Sequence, residues 1–110
     1  MDNLDLTITK DEIPDETGAD KTVRFHVSGR IYYYTSPSLQ KALDDAFDGG
    51  MINIIVNMSE VEYLCSSGIK ALLKTHKDAV KAGGSLSVEQ PSEHVRSVLK
   101  MTALDDILIR

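Results

Sequence analysis

A single α/β domain over residues 1–110, with a mixed sheet whose central strands run parallel, is the fold class this sequence predicts. Three observations carry that expectation. Strand-like and helix-like patterns alternate after the first two strands, and a helix between two strands of one sheet makes them parallel. Met51 to Met58 is apolar on both faces (Ile52, Ile54, Ile55, Val56), as a central strand covered on both sides is. The first two helix patterns are also bracketed by their own start and stop residues. Together these give a central sheet of four to five strands with three to five helices.

Taken in order, Leu4 to Ile8 alternates apolar and polar residues and reads as a half-buried strand. Lys10 to Lys21 holds Pro14, Gly18 and five acidic residues and reads as an exposed hairpin connection. Thr22 to Ile31 is a second strand with Val23, Phe25, Val27 and Ile31 on one face, pairing antiparallel with the first. Ser36 as N-cap and Pro37 at the first helical position open a helix. It carries Leu39, Ala42, Leu43, Ala46 and Phe47, and Gly49-Gly50 closes it. After the central strand comes a polar bend, then Cys65-Ser66-Ser67-Gly68, then a helix. That helix is expected to bury Ile69, Leu72, Leu73, Ala79 and Val80 and to end at Gly83-Gly84. Ser85 to Glu89 is a short strand. Ser92 caps a helix bearing Val95, Val98 and Leu99. Leu104 to Ile109 fits a last strand or a short helix equally well.

Composition excludes several classes. The chain is 42% hydrophobic and 26% charged, which is globular rather than disordered. A net charge of −5, with no basic patch, argues against nucleic acid as a partner. No apolar run approaches the ~20 residues that span a bilayer, so direct membrane insertion is not expected. The acidic, alternating start MDNLDLTITKDE is not a signal peptide. One cysteine rules out an internal disulfide and suits a reducing compartment, so the expected location is cytoplasmic. One cysteine and three scattered histidines show no metal-ligand spacing, and no phosphate-binding glycine loop exists. Neither metal nor cofactor is expected.

Ser66 and Ser67 stand where a buried strand gives way to a helix. A serine there can be a helix cap, contributing about 1 kcal/mol. It can also be a surface phosphorylation site whose product the helix start stabilises, because unpaired N–H groups and the helix dipole favour anions. Cys65 would need a base and an orienting group to act as a nucleophile. His26, His76 and His94 show no recognisable spacing to it, so it reads as a packing thiol. His76 borders the apolar stripe of its helix, where close packing or a helix-edge hydrogen bond is the default. Tyr32-Tyr33-Tyr34 cannot all face the core, so an exposed ring near the helix start is a candidate contact; ordinary strand-end packing is the equal alternative.

Four landmarks in order resemble the STAS domain, the fold of bacterial anti-sigma-factor antagonists, over nearly the whole chain. Val27-Ser28-Gly29-Arg30-Ile31 followed by Thr35-Ser36 is similar to the family's gly-x-hydrophobic segment and its helix-opening Thr–Ala or Thr–Ser. Ile54-Ile55-Val56-Asn57-Met58-Ser59 resembles its core strand ending in Asp-Leu-Ser. Tyr63-Leu64-Cys65-Ser66-Ser67-Gly68 resembles its hydrophobic-x-Asp-Ser-Ser-Gly switch. Lys81-Ala82-Gly83-Gly84 resembles its lys-x-x-gly-gly helix end. Three family aspartates are replaced, by Cys65, Asn57 and Tyr32.

The resemblance implies a non-enzymatic switch. Ser66 would be phosphorylated by a partner that is both anti-sigma factor and serine kinase, and restored by a serine phosphatase. The unphosphorylated form would bind the partner and free a sigma factor. The expected docking face comprises Tyr33, Tyr34, Thr35, Ser36, Asn57, Cys65, Ser66, Ser67 and Gly68. It joins two loops that follow neighbouring parallel strands. The alternative is a constitutive STAS scaffold subunit of a signalling or membrane transport complex, without a phosphorylation cycle. The neutral residues at 57, 65 and 32 lean toward it.

Overall fold

The computed structural model describes residues 5–13 and 22–109. Its elements are β1 (Leu6–Ile13), β2 (Thr22–Ile31), α1 (Ser36–Asp48), β3 (Asn53–Leu64), α2 (Ser66–Lys81), β4 (Ser85–Glu89), α3 (Glu93–Met101) and α4 (Asp105–Leu108). The sheet order is β1-β2-β3-β4. β1 pairs antiparallel with β2, while β2–β3 and β3–β4 are parallel. This is the mixed sheet that the alternation of patterns predicts, and β2, α1 and β3 form its first crossover.

The ends of β1 and β3 differ from expectation. β1 runs on to Ile13, so Lys10 to Ile13 is strand rather than loop; the rest of that connection, like Leu4, lies outside the described residues. Its polar composition misleads because β1 is an edge strand with exposed Thr7, Thr9, Lys10 and Asp11. β3 absorbs the expected polar bend, continuing through Ser59 to Leu64. It does so by slipping twice against β2. His26 faces Asn57 but Ser28 faces Glu60, and Gly29 faces Val61 but Arg30 faces Tyr63. Each slip inserts one extra residue in β3, which breaks the two-residue alternation that marks a strand in sequence.

One cluster unites the core. Val23, Phe25, Val27, Ile54, Val56, Met58, Leu86 and Val88 share a sheet face, and Leu39 and Leu43 of α1, Ile69 and Leu72 of α2, Val95 and Leu99 of α3, and Leu108 of α4 cover it. The helices therefore cover one face of β3, not both as its apolar run suggests. Its other face carries Ile55, half-buried, and buried Asn57. α2 turns Val80 outward, 53% exposed, and leaves Leu73 half-buried; Gly68, Ala71 and Thr75 take up the close packing instead. The tail takes the helical form: the short α4 buries Leu108, and Ile109 then makes a single parallel bridge to Val88. His76 sits at the helix edge with Nδ1 2.9 Å from the Leu86 carbonyl and 3.1 Å from its amide nitrogen. Ser92 caps α3, accepting from the Val95 N–H at 3.2 Å.

The helix-free sheet face is held by a polar cluster. Arg24 Nη2 donates to Glu89 Oε1 at 3.0 Å, and Asn57 Nδ2 donates to Glu89 Oε2 at 3.1 Å. Asn57 Oδ1 accepts from the Ser59 amide at 3.1 Å and its hydroxyl at 2.8 Å. Desolvation pushes the Glu89 carboxyl up, but the hydrogen bonds from Asn57 and Arg24 and the charges of Arg24 and His26 outweigh it, leaving its pKa below the ordinary value. A carboxyl lowered by folding stabilises the native state above its unfolded pKa. That contribution disappears as pH falls through the folded value. Glu89→Gln is therefore expected to flatten the loss of stability on acidification below the ordinary glutamate range. Urea melts of both proteins across that range provide the check; parallel acid profiles would remove Glu89 from the account.

Candidate functional site

The carboxyl ends of β2 and β3 lie side by side, and α1 and α2 start from them. Ile31 pairs with Leu64 at the last rung. The Cys65 N–H then donates to the Ile31 carbonyl at 2.9 Å, fixing where β3 ends and α2 begins. Gly68 makes the junction tight. A Cβ there would lie 2.7 Å from Ile31 Cγ2 and from Leu64 Cδ1.

The helix starts sit one residue earlier than a serine cap requires. Thr35, not Ser36, is the N-cap of α1, and Cys65 is the N-cap of α2; neither side chain caps its helix. Ser66 and Ser67 are therefore the first two residues of α2, and the cap reading of these serines does not hold. Thr35 is spent on the turn before α1: its hydroxyl donates to the Arg30 carbonyl at 3.0 Å and accepts from the Tyr32 N–H at 2.8 Å.

The two serines differ sharply. The Ser36 hydroxyl donates to the Tyr33 carbonyl at 3.1 Å, and Ser67 Oγ lies 2.8 Å from Ser36 Oγ. A carbonyl only accepts and a hydroxyl has one proton, so Ser67 must donate to Ser36. By the same count the Cys65 thiol donates to Ser67 Oγ, 3.1 Å away. The chain runs Cys65, Ser67, Ser36, Tyr33, and it ties the α2 start to the α1 start. The Ser66 side chain is exposed and makes no hydrogen bond among the described residues. No acidic residue occupies the first turn of α2. Of the two hydroxyls, that of Ser66 is the more exposed and the one without a hydrogen bond among the described residues.

Beside the serines lies an aromatic row. Tyr33 meets Tyr34 edge-on with centroids 5.7 Å apart, and Tyr34 stacks on Tyr32 at 5.2 Å. Tyr32 contacts Tyr63 at 5.3 Å, and Tyr63 contacts His94 at 5.3 Å. Tyr33 is 79% exposed and Tyr34 57%. The Tyr34 hydroxyl donates to Asp5 Oδ2 at 2.8 Å, and this bond and the nearby carboxylate raise its pKa. Beyond Tyr63 lies a groove of about 750 Å³, lined by Ser28, Gly29, Ser59 to Glu62 and Ser92 to His94; Ser66 is not part of it. The Ser66 side chain is exposed at the surface rather than inside this groove.

Of the residues expected on the docking face, Tyr33, Tyr34 and Ser66 present themselves to solvent, and Cys65 and Ser67 are half-buried. Thr35, Ser36 and Gly68 are buried beneath them and shape the surface from below. Asn57 lies in the Glu89 cluster on the sheet face. Sequence reasoning missed Tyr63 and His94, which join the row through space although 31 residues separate them. The aromatic at 63, two residues before Cys65, was the available signal. Among the described residues no group of three metal-ligating side chains gathers, and no helix is long and apolar enough to cross a membrane.

The STAS domain family model matches residues 14–110. An anti-sigma-B factor antagonist of Bacillus subtilis (strain 168) is 28% identical over 89 residues, covering 81% of each chain. Among solved structures, an anti-sigma factor antagonist from Mycobacterium paratuberculosis superposes with a TM-score of 0.74 at 25% identity, over 93% of this chain and 83% of its own. The anti-sigma factor antagonist SpoIIAA in its unphosphorylated form gives 0.72 at 20% identity, over 90% and 86%.

Gly68→Ala is expected to destabilise the fold. Overpacking costs about 1–3 kcal/mol, and the better helix propensity of alanine returns up to ~1 kcal/mol. A urea-melt midpoint at or above that of the wild type would show that Ile31 and Leu64 give way freely.

Proposed function

The chain belongs to the STAS domain family, and we propose that it works as an anti-sigma-factor antagonist whose docking is ended by phosphorylation of Ser66. The relatives' names supply the class of partner. The single observation that carries the switch is the contrast between the two serines. Ser67 is locked into the thiol–hydroxyl chain, whereas Ser66 stands exposed at the positive end of a sixteen-residue helix with nothing acidic in its first turn.

The physics of the switch follows from charge. Phosphorylation adds about −1.5 to −2 charges at neutral pH. In the free domain the helix start and surrounding water accommodate them. In a dry interface the same group is desolvated and unpaired, which costs several kcal/mol. Each ~1.4 kcal/mol is tenfold in affinity, so docking falls by orders of magnitude. The partner is an anti-sigma factor with serine kinase activity, and a serine phosphatase resets the switch. This is regulated binding, not catalysis by the chain itself. The Cys65 thiol donates to Ser67 and serves the architecture of the loop.

The family aspartate replaced by Asn57 has a local explanation. Aspartate at this position would face the Glu89 carboxylate, whereas the asparagine amide donates to it. The substitution suits the Arg24–Glu89 pair and says nothing against Ser66 as acceptor. The aromatic row supplies the anchors of the docking face, since buried aromatics dominate interface energies.

Two binding experiments with the anti-sigma kinase that this reading requires as partner test it. Ser66→Ala should bind and resist phosphorylation, while Ser66→Asp should fold and bind far more weakly. Undiminished affinity in the aspartate variant would count heavily against the switch. Alanine at Tyr33 or Tyr34 should cost at least ~1 kcal/mol at one of the two positions. If both bind as wild type does, the row lies outside the interface.

A further inference from the structure

Lys70 lies one helical turn beyond Ser66, on the same face of α2. Residues four apart on a helix are neighbours, and four residues rise only about 6 Å. Both side chains are exposed. Lys70 heads a row of lysines, Lys70, Lys74, Lys77 and Lys81, spaced by four, three and four. The row lines a shallow depression with Leu73 and Asp78 on a chain whose net charge is −5.

The lysines are not equivalent. Lys74 is engaged, with Nζ 3.2 Å from Asp78 and 3.9 Å from Asp44, and these carboxylates raise its pKa. Lys74 also stands eight residues from Ser66, about 12 Å along the axis. Lys70 makes no ion pair among the described residues, and it is the nearest lysine of the row to Ser66. The acidic side chains closest to Lys70 in sequence, Glu62 and Asp78, are held by Arg30 at 3.1 Å and by Lys74 at 3.2 Å. An ion pair is therefore poised but lacks its anion.

We propose that Lys70 is a positioning residue for the modified switch: its ammonium pairs with the phosphate on Ser66 and holds it against the start of α2. The proposal rests on Ser66 being the phosphorylated residue. Pairing lowers the free energy of the phosphorylated, undocked domain and leaves the unmodified domain untouched. It thus biases the switch toward release, because a docked interface would have to break the pair before burying the phosphate. As an exposed pair, it is screened by salt.

The test installs phosphoserine at position 66 genetically, so that it does not depend on any kinase, and reads the melting temperature of four proteins with and without the phosphate. In the wild type at low salt, the phosphate is expected to raise the melting temperature. Lys70→Gln should shrink that increment without changing the unmodified protein. Lys70→Arg should restore it, Lys77→Gln should leave it at the wild-type value, and 1 M salt should reduce it in the wild type. No increment in the wild type, or an equal increment in Lys70→Gln, overturns the pairing. Whether a cellular kinase modifies Ser66 is read separately by mass spectrometry, so the two ideas fail independently.

Discussion

The hydrogen bond from the Cys65 N–H to the Ile31 carbonyl is the constraint on which the site depends. It closes the last rung between β2 and β3 and at the same point starts α2. Everything exposed at the site takes its position from that closure. Gly68 can pass under Ile31 and Leu64 only because it lacks a Cβ. With the helix start fixed there, Ser67 turns inward to Ser36, and Ser66 is left facing water. Gly29, at φ 108°, serves the same end from the β2 side: its backbone lies directly against the Asp5 carbonyl, where a side chain would not fit.

The chain of one thiol and two hydroxyls couples the two loops beneath this surface. Its direction is dictated by the Tyr33 carbonyl, which cannot donate. The aromatic row lies over the same junction and extends from Tyr33 to His94. The site therefore combines a hydrogen-bonded polar base, an exposed hydroxyl and large aromatic rings. Such a surface suits protein docking better than small-molecule binding, which favours enclosed pockets. In the proposed switch, the positive helix start and Lys70, which makes no ion pair among the described residues, would supply a destination for a phosphate.

Much of this was legible in the sequence because the signals were local. The turn glycines, the Ser92 cap, the helical spacing of Leu39 and Leu43, and the position of Ser66 between strand and helix each depend on a few neighbouring residues. The STAS resemblance likewise rested on short ordered landmarks. What was not legible depends on distant partners. Ser59 to Leu64 reads as a bend because two slips against β2 break its alternation, and only β2 reveals them. The helix caps fell on Thr35 and Cys65, not on serine, because the strand ends set the helix starts. Arg24 and Glu89 pair across 65 residues, so nothing local explains Asn57. Val80 fits the apolar stripe of α2 by spacing, yet the face that α2 buries is turned toward Gly68, Ala71, Thr75 and Ala79 and leaves Val80 outside.

The central claim is that Ser66 is the residue by which this domain is switched. Site-resolved mass spectrometry of the protein purified from its native host tests it most directly. The account predicts a fraction of molecules carrying one phosphate, located on Ser66, with Ser67 unmodified because its hydroxyl is held between Cys65 and Ser36. Phosphate on Ser67 alone, or an unmodified Ser66 under every growth condition, would contradict it and favour a constitutive scaffold.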